Sequence, residues 1–367
     1  MSLRIARPIP TFARQTLLNL TSRTSRSSLP CIISSALHTQ KDQVQARPLQ
    51  QQQRTFLTTS IRTHEMSQGS HPHLKIAESF DVSGLTVAVT GAGTGIGLMI
   101  TLAMIENGAK VFAIGRHREN LDEIVKRYGG DGKERGLIVP VVGDVTDKES
   151  LGKVVKEIEG QAEGGIQILF NNAGVAGEGS REGWEDVDSK DPNAISKKML
   201  ESSYQEWEDI LRTNTTAAYF TAAAFLPLLS KGKNSVKGYA SQIVNTTSIS
   251  GVMKRASGGQ FAYAASKAAT FQMTKVLATE LMDTGIRCNQ IAPGVFPSGM
   301  TAGSVEKDQK SDLSGTGKGE SNPAGRPGSE KDMAGCALFL ASRAAVYMNG
   351  QAIIPDGGAT LSGNSSL

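Results

Sequence analysis

Leu85-Thr-Val-Ala-Val-Thr90, followed at once by Gly91-Ala-Gly-Thr-Gly95-Ile-Gly97, is the stretch that decides the fold. The first segment is short, apolar and rich in β-branched residues, which is typical of a strand buried on both faces of a parallel sheet. The glycine turn leads into the apolar run Leu98 to Ile105, which ends at Asn107-Gly108 as helices do. Glycines let a backbone approach a pyrophosphate at a helix N-terminus, so this strand, turn and helix predict a dinucleotide site.

The alternation of strand and helix continues along the chain. Further short apolar runs predict strands at Lys110–Ile114, Leu137–Val142, Ile166–Phe170, Gln242–Thr247, Arg287–Ala292 and from Ala352. Helical patterns fall between them, at Lys148–Glu159, at about Ser203–Leu229, around Tyr263, and from the Ser329 cap to Ala344. This pattern predicts an α/β chain with one Rossmann-type domain over residues 75–367, built on a doubly wound, mostly parallel seven-stranded sheet.

Two segments interrupt the alternation. Val175 to Met199 is acidic and Gly-rich and contains Trp184 and Pro192, so we expect a surface loop. It leaves the carboxyl end of a strand, which places it near the substrate side. Residues 302–323 are rich in Gly, Ser and Lys, and indicate a mobile flap or a disordered insert.

The net charge of +4 belongs to the N-terminal segment. Nine of the 39 basic residues but only one of the 35 acidic residues lie in residues 1–64, so the rest holds 30 basic and 34 acidic residues, a net charge of −4. An acidic body gives no support to nucleic-acid binding. Three cysteines without paired spacing suggest neither a disulfide framework nor a metal site, which favours a reducing compartment. No apolar stretch is long enough to span a bilayer.

Residues 1–65 have the composition of a mitochondrial transit peptide, rich in Arg, Ser, Thr and Gln and nearly free of acids. Arg54-Thr-Phe56-Leu-Thr-Thr59 also places an aromatic and then hydroxyl residues after an arginine, as matrix-processing sites do. We therefore expect a mitochondrial matrix protein. A disordered leader without an address is the alternative, and translation from Met66 would give a cytoplasmic form.

Tyr263 and Lys267 lie four residues apart in Phe261-Ala-Tyr-Ala-Ala-Ser-Lys267. Apolar residues recur around them at three-to-four spacing, so a helix is predicted with both side chains on one face. A free phenol has a pKa of about 10, and a neighbouring ammonium group favours the phenolate. An isolated pair of this kind is more often a packed Tyr with a solvated Lys, so its meaning depends on the other motifs.

The end of the second strand bears on the choice of dinucleotide. It continues as Gly115-Arg116-His117-Arg118, whereas an NAD site would place Asp or Glu there for the ribose 2′-hydroxyl. Cationic side chains suit a 2′-phosphate, so the sequence favours NADP(H) over NAD(H), with solvated arginines as the alternative. Asp144, after the third strand, could accept a hydrogen bond from the adenine amino group.

In this order the motifs resemble the short-chain dehydrogenase/reductase family over about Phe80 to Leu361. They are Thr90-Gly91-x3-Gly95-x-Gly97, Asn171-Asn172-Ala173-Gly174, a helical Asn214, a Ser after the fifth strand, Tyr263-x3-Lys267, Pro293-Gly294 and Asp356-Gly357-Gly358. Leu98-Met99-Ile100, Ala292–Ser298 and Val346–Gly350 are similar to the NADPH-dependent 3-oxoacyl reductases of the rhamnolipid-biosynthesis type.

The resemblance implies roles for individual residues. Tyr263 would be the general acid in reduction and the general base in oxidation, and Lys267 would lower its pKa and hold the nicotinamide ribose. Ser248 would bind the substrate oxygen, and Asn214 would support a water that links Lys267 to solvent. The cofactor would contact Gly91, Gly95, Ile96, Gly97, Arg116, Asp144, Asn171, Tyr263, Lys267, Val295 and Ser298. The resemblance also suggests a homodimer or homotetramer paired through the Asn214 and Tyr263 helices.

Three features depart from the family pattern. Ser250, thirteen positions before Tyr263, has the usual spacing, but Ser248 directly follows the predicted strand and is preferred, with Ser250 as the alternative. Thr94 stands where many NADP-dependent members carry a basic residue. Ser298 replaces a more frequent Thr and keeps the hydroxyl.

The resulting hypothesis is an NADP(H)-dependent oxidoreductase that interconverts a ketone and a secondary alcohol, and more specifically reduces a 3-oxoacyl thioester. Lys254 and Arg255, between the Ser and the Tyr, could attract a phosphopantetheine phosphate or an acidic carrier protein. A steroid, polyol or other secondary-alcohol dehydrogenase is the alternative enzyme. A cofactor-binding sensor without turnover is the alternative of another class.

Overall fold

Seven parallel strands form one sheet in the residues that the computed structural model describes, 71–177, 183–236, 238–256, 258–363 and 365–366. The strands are β1 Thr86–Thr90, β2 Lys110–Gly115, β3 Leu137–Val142, β4 Ile168–Asn171, β5 Gln242–Thr246, β6 Arg287–Ile291 and β7 Ala352–Ile353. Their order is β3-β2-β1-β4-β5-β6-β7 and every pairing is parallel. The predicted doubly wound seven-stranded sheet is confirmed, and it is parallel throughout. The leader, residues 1–65, and Met66 lie outside the described residues.

Helices occupy the crossovers between the strands, and one short helix lies before β1 and another after β7. They are α1 Ile76–Ser79, α2 Gly95–Glu106, α3 Arg118–Tyr128, α4 Lys148–Glu159, α5 Pro192–Met199, α6 Tyr204–Leu211, α7 Ala217–Gly232, α8 Phe261–Glu280, α9 Gly299–Ala302, α10 Glu330–Ala341 and α11 Ala359–Ser362. None of those within the described ranges is both long and apolar enough to cross a bilayer.

Buried side chains alternate between two cores, one on each face of the sheet. In β1, Val87 and Val89 belong to the core that α2 and α10 cover, while Ala88 belongs to the core beneath α4 and α7. Successive residues point to opposite faces, and both faces are buried, so almost every residue of the strand is apolar. The strand order reverses between β1 and β4, and in doubly wound sheets ligands bind outside the carboxyl ends of the strands at that point.

The predicted helix over Ser203–Leu229 is continuous but not regular. Ser203 caps α6, as its side chain accepts a hydrogen bond from Glu206 N at 3.0 Å. Residues Arg212–Thr216 then form a π turn before α7 begins. A π turn inside a helix frequently marks a functional site. Here it carries Asn214.

The two interrupting segments contain more structure than their composition indicates. Within the predicted loop Val175–Met199, α5 begins at Pro192, because Asp191 caps it and proline is favourable at the first helical position. Residues 303–329 contain neither helix nor strand, but they contact the body of the protein. Tyr128 donates to the Asp308 carbonyl at 2.8 Å, and Leu313 is buried.

Candidate active site

A cavity of about 350 Å³ opens at the carboxyl ends of the strands, at the reversal of strand order. On the β2–β3 side its wall includes Arg116 and Asp144. On the β5 side its wall includes Ser248, Tyr263 and Lys267. The fold therefore brings the predicted cofactor and proton-transfer residues to one cavity.

The glycine turn after β1 packs so closely against its neighbours that a larger residue would not fit. Gly91 and Gly95 have φ angles of +64° and +52°. A Cβ at Gly91 would lie 3.0 Å from Ala173 Cα, and one at Gly95 would lie 2.9 Å from Ser298 Cβ. The α2 N-cap, Thr94, makes no side-chain capping bond, and Gly95 and Ile96 line the cavity. The uncapped first turn of this helix is thus directed at the cavity, which fits a dinucleotide pyrophosphate.

Arg116 and Asp144 form the charged side of the cavity. The Asp144 carboxylate accepts hydrogen bonds from Thr146 N at 2.8 Å and from Thr146 Oγ1 at 2.7 Å. Burial acts to raise the pKa of Asp144, but these hydrogen bonds and the nearby Arg116 hold it below its usual value. Asp144 is therefore an anionic acceptor in a fixed orientation.

Ser248 is the serine that faces Tyr263. It lies directly after β5, lines the cavity, and its side chain hydrogen-bonds the Tyr263 phenol. Its Oγ also accepts a hydrogen bond from Ser250 N at 3.1 Å. Ser250 is absent from the described cavity wall, so the geometry favours Ser248 for the substrate contact.

Tyr263 and Lys267 are close together on α8, as the four-residue spacing predicts. Lys267 Nζ lies 5.7 Å from the centre of the Tyr263 ring and donates to the Thr246 carbonyl at 2.9 Å. Burial raises the pKa of the Tyr263 phenol, and the Ser248 hydrogen bond opposes this. Burial also lowers the pKa of Lys267 to about 8. The phenol is thus held in its protonated form, the form that a general acid needs.

Asn214 supports the cavity wall from behind. Its Oδ1 accepts from Val175 N and its Nδ2 donates to Val175 O, both at 2.8 Å. Nδ2 also donates to Ser266 Oγ at 2.9 Å. Val175 lines the cavity, whereas Asn214 does not. The side chain therefore fixes a lining residue to α8, and a water relay through Asn214 stays a prediction.

Three predicted cofactor residues lie away from the cavity wall. Asn171 is buried, and its Nδ2 donates to Ala218 O at 3.0 Å and to Asn245 Oδ1 at 3.1 Å. A Cβ on Gly97 would collide with the Gly91 carbonyl, so this glycine permits close packing of α2 on the turn. Val295 is absent from the described wall, which instead includes the neighbouring Phe296 and the predicted Ser298.

Several residues of the wall were missed by the sequence reasoning. Asn172 lines the cavity and its Nδ2 donates to Thr90 O at 3.2 Å, and its signal was present in the Asn-Asn-Ala-Gly motif. Thr146 orients Asp144, and the Thr246 carbonyl holds Lys267. A backbone acceptor such as Thr246 O leaves no trace in residue identity. Within the described ranges, no group of three or more His, Cys, Asp or Glu side chains could hold a metal ion.

Comparison with known proteins agrees with this geometry. The family model described as "short chain dehydrogenase" matches residues 85–309. Short-chain dehydrogenase/reductase PhomF of Diaporthe leptostromiformis is 40% identical over 306 residues, which cover 80% of this chain and 97% of that protein. The 3-oxoacyl-[acyl-carrier-protein] reductase FabG of Thermotoga maritima is 33% identical, over 76% of this chain and 98% of that protein.

A solved structure with the same fold is the RhlG/NADP active-site complex of Pseudomonas aeruginosa. It superposes with a TM-score of 0.59 at 29% identity, and covers 76% of this chain and 97% of that chain. The glycine turn, the Ser–Tyr–Lys wall and the extent of these matches lead to one assignment. The chain belongs to the short-chain dehydrogenase/reductase family, a group of NAD(P)-dependent oxidoreductases.

Proposed function

We propose that the protein is an NADP(H)-dependent reductase of a 3-oxoacyl thioester, producing the corresponding secondary alcohol. The observation that carries the proposal is the convergence of Ser248, Tyr263 and Lys267 on the wall of the cavity that Arg116 also lines. When bound, the nicotinamide supplies a hydride for the carbonyl carbon. The residues of the chain have to stabilise and then protonate the carbonyl oxygen.

Proton transfer is the task of the β5 side of the cavity. As negative charge develops on the substrate oxygen, the Ser248 hydroxyl donates a hydrogen bond to it and the Tyr263 phenol gives up its proton. The raised pKa of Tyr263 keeps that proton in place at neutral pH. Lys267, a largely buried residue of the wall, holds a positive charge near the ring while its pKa of about 8 exceeds the ambient pH.

The β2–β3 side of the cavity supports a preference for NADP(H). Arg116 and His117 line the cavity where the adenosine ribose lies in sites of this fold. A guanidinium there suits a 2′-phosphate through charge-assisted hydrogen bonds. The solved relative in complex with NADP supports the same preference.

The loop between Ser248 and Tyr263 carries two cations that support an acyl-thioester substrate. Lys254 and Arg255 are exposed on this loop. Two cations there could attract a phosphopantetheine phosphate or an acidic carrier. The similarity to a 3-oxoacyl-[acyl-carrier-protein] reductase supports this substrate class.

Substrate and mechanism are tested by one set of assays. We expect oxidation of NADPH with 3-oxoacyl thioesters, with a larger kcat/KM than for steroid or sugar ketones. The double substitution of Lys254 and Arg255 to Glu should raise KM for carrier-linked substrates and leave KM for small ketones unchanged. Equal effects on both substrates would remove the carrier argument.

Tyr263→Phe keeps the ring and removes the acidic proton. We expect kcat to fall by about 10²- to 10⁴-fold, the usual contribution of general acid–base catalysis, while the Kd for NADPH changes little. Tyr219→Phe, at a half-exposed tyrosine on α7, is the matched control and should retain full activity. Full turnover by the Tyr263→Phe protein would overturn the mechanism, and NADPH binding without turnover of any ketone by the wild-type protein would favour a sensor.

A further inference from the structure

The segment after β7 contacts three separate segments of the protein, one of which lines the cavity of the candidate active site. We define the C-terminal brace as residues 355–363 and 365–366, which follow β7. The brace first meets the Pro293-Gly294 turn, then residues 322–324 of the irregular segment, and finally Val252-Met253 in the loop between Ser248 and Tyr263.

The first contact is with a residue of the cavity wall. Gly294 lines the cavity, and its backbone N donates to the Pro355 carbonyl at 3.1 Å. A Cβ on Gly294 would lie 2.9 Å from Asp356 Cα. The two backbones therefore pack as closely as glycine allows.

The second contact holds the irregular segment. Ala324 N donates to the Gly357 carbonyl at 3.0 Å. Gly357 has a φ of +63°, and a Cβ there would lie 2.9 Å from Asn322 Cγ. Gly358 has a φ of +87°, and a Cβ there would lie 3.0 Å from Pro323 Cγ. The segment that follows α9 is thus tied to the brace.

The third contact reaches the loop that carries the active-site serine. Ser365 forms an antiparallel bridge with Met253, and Ser366 N donates to the Val252 carbonyl at 2.8 Å. Ser366 Oγ donates to the same carbonyl at 3.0 Å. Val252 is buried and lies four residues after Ser248. The brace is therefore joined to the active-site loop by an isolated bridge and two hydrogen bonds.

The brace is itself held in shape by one carboxylate. Asp356 Oδ1 accepts from Gly358 N at 2.8 Å, and Oδ2 accepts from Thr360 N and Thr360 Oγ1, both at 2.7 Å. Ser365 Oγ donates to the Thr360 carbonyl at 2.9 Å. A segment fixed internally in this way can transmit a constraint from one loop to the next.

We propose that the C-terminal brace is a positioning element that sets the three segments it contacts relative to one another. Its residues supply no group to the proton transfer. They hold Val252-Met253, Gly294 and residues 322–324 in one arrangement, so that the substrate is bound in register with Ser248 and Tyr263. The use of substrate KM as a readout rests on the proposed reductase function, whereas the loop constraint does not.

A proline substitution isolates the main-chain bond. Ser366→Pro removes the N–H that donates to Val252, and Ser366→Ala removes the hydroxyl but keeps that N–H. In the full-length protein we expect Ser366→Pro to raise KM about fivefold or more, with kcat and the Kd for NADPH within twofold of wild type. For Ser366→Ala, KM, kcat and the Kd for NADPH should each stay within twofold of the wild-type value. Deletion of residues 364–367 should reproduce or exceed the proline effect.

Hydrogen exchange provides a readout that does not depend on turnover. In the Ser366→Pro and deletion proteins, amides of residues 249–256, 293–298 and 322–328 should exchange at least threefold faster, while those of residues 86–115 stay unchanged. Gly358→Ala should accelerate exchange of residues 322–328 more than Gly325→Ala does, because alanine is strained by the positive φ at both positions, whereas only at Gly358 would its Cβ also meet Pro323.

Unchanged exchange in all three loops would overturn the proposal. A uniform rise in exchange across the sheet, with kcat and the Tm falling together, would also overturn it, because that pattern describes general destabilisation. A wild-type protein that turns over no ketone would refute the reductase function and leave the exchange result to decide on the brace.

Discussion

At the scale of single residues, Lys267 lies in an environment that changes its expected role. The sequence predicts that its ammonium group lowers the pKa of Tyr263. In the structure burial raises that pKa, and the group that opposes the rise is Ser248. Lys267 instead donates to a buried backbone carbonyl, and burial lowers its own pKa to about 8. The raised pKa of Tyr263 keeps the phenol protonated, which suits reduction better than oxidation.

The pKa of Lys267 predicts a pH dependence. Below about pH 8 the amine is charged and supports negative charge on the substrate oxygen; above it the charge is lost. We expect kcat for reduction to be flat below pH 8 and to fall by up to tenfold per pH unit above it. Lys267→Arg should remove this decline even if the variant is slower, because a guanidinium stays charged. Lys275→Arg, at an exposed position of α8, should leave the profile unchanged.

Arg116 predicts the choice between the two dinucleotides. Loss of a charge-assisted hydrogen bond costs about 1.5–3 kcal/mol, so Arg116→Ala should raise the Kd for NADPH by roughly 10- to 100-fold. The Kd for NADH should change by less than twofold. Arg118→Ala is the control, since Arg118 pairs with Asp122 at 2.9 Å and is absent from the described cavity wall. Equal weakening of both dinucleotides by Arg116→Ala would contradict a 2′-phosphate contact.

At the scale of elements, the packing of α2 on the glycine turn decides the position of the pyrophosphate site. Gly97 lies in the first turn of α2, where a Cβ would meet the Gly91 carbonyl and lie 2.6 Å from Asn172 Nδ2. Gly97→Ala should therefore displace the helix, lower the free energy of unfolding by about 1–3 kcal/mol, and raise the Kd for NADPH at least tenfold.

Gly152→Ala is the matched substitution for Gly97→Ala. Gly152 is also inside a helix, α4, but no atom lies within 4 Å of its Cβ position. Alanine there should raise the free energy of unfolding by up to about 1 kcal/mol through helix propensity. Thermal unfolding and NADPH titration measure both variants. A Gly97→Ala protein as stable as wild type would show that the turn tolerates the displacement.

The same elements show what the sequence could predict. The strands at Leu137–Val142 and the helix at Lys148–Glu159 were placed to the residue, because apolar periodicity and caps are local signals. The capping box of Ser329 and Asp332 was confirmed for the same reason. The π turn at Asn214 was not foreseen, since it is accompanied by bonds from Asn214 to Val175 and to Ser266 of α8, which are distant in the chain. Contacts between distant backbones leave no pattern in residue identity.

The sequence also predicted the proton-transfer residues of the site. It did not predict details that depend on contacts between segments distant in the chain. Ordered motifs identified Ser248, Tyr263 and Lys267, which the fold brings to one wall. The motif Asn171-Asn172 did not reveal which asparagine faces the cavity. That depends on the strand: Asn171 ends β4 with its side chain bonded to Asn245 inside the sheet, and Asn172 is the next residue. Adjacent residues point to different sides here, so Asn171 faces Asn245 while Asn172 lines the cavity.

At the scale of the whole molecule, charge divides the chain into a basic leader and an acidic body. We propose that residues 1–65 direct the protein to the mitochondrial matrix, since nine basic residues and one acid lie within residues 1–64. Residues 1–65 fused to a fluorescent reporter should therefore co-localise with mitochondria. Replacing Arg4, Arg7 and Arg14 by Gln should abolish import, and a protein starting at Met66 should remain cytoplasmic. A cytoplasmic distribution of the unaltered fusion would contradict the proposal.

The bond from Ser366 N to the Val252 carbonyl also has a practical meaning for anyone who handles this enzyme. An affinity tag or reporter joined after Leu367 would begin close in sequence to Ser366, which is bonded to the loop of the active-site serine. Carboxy-terminal fusions are therefore expected to give misleadingly poor substrate affinities.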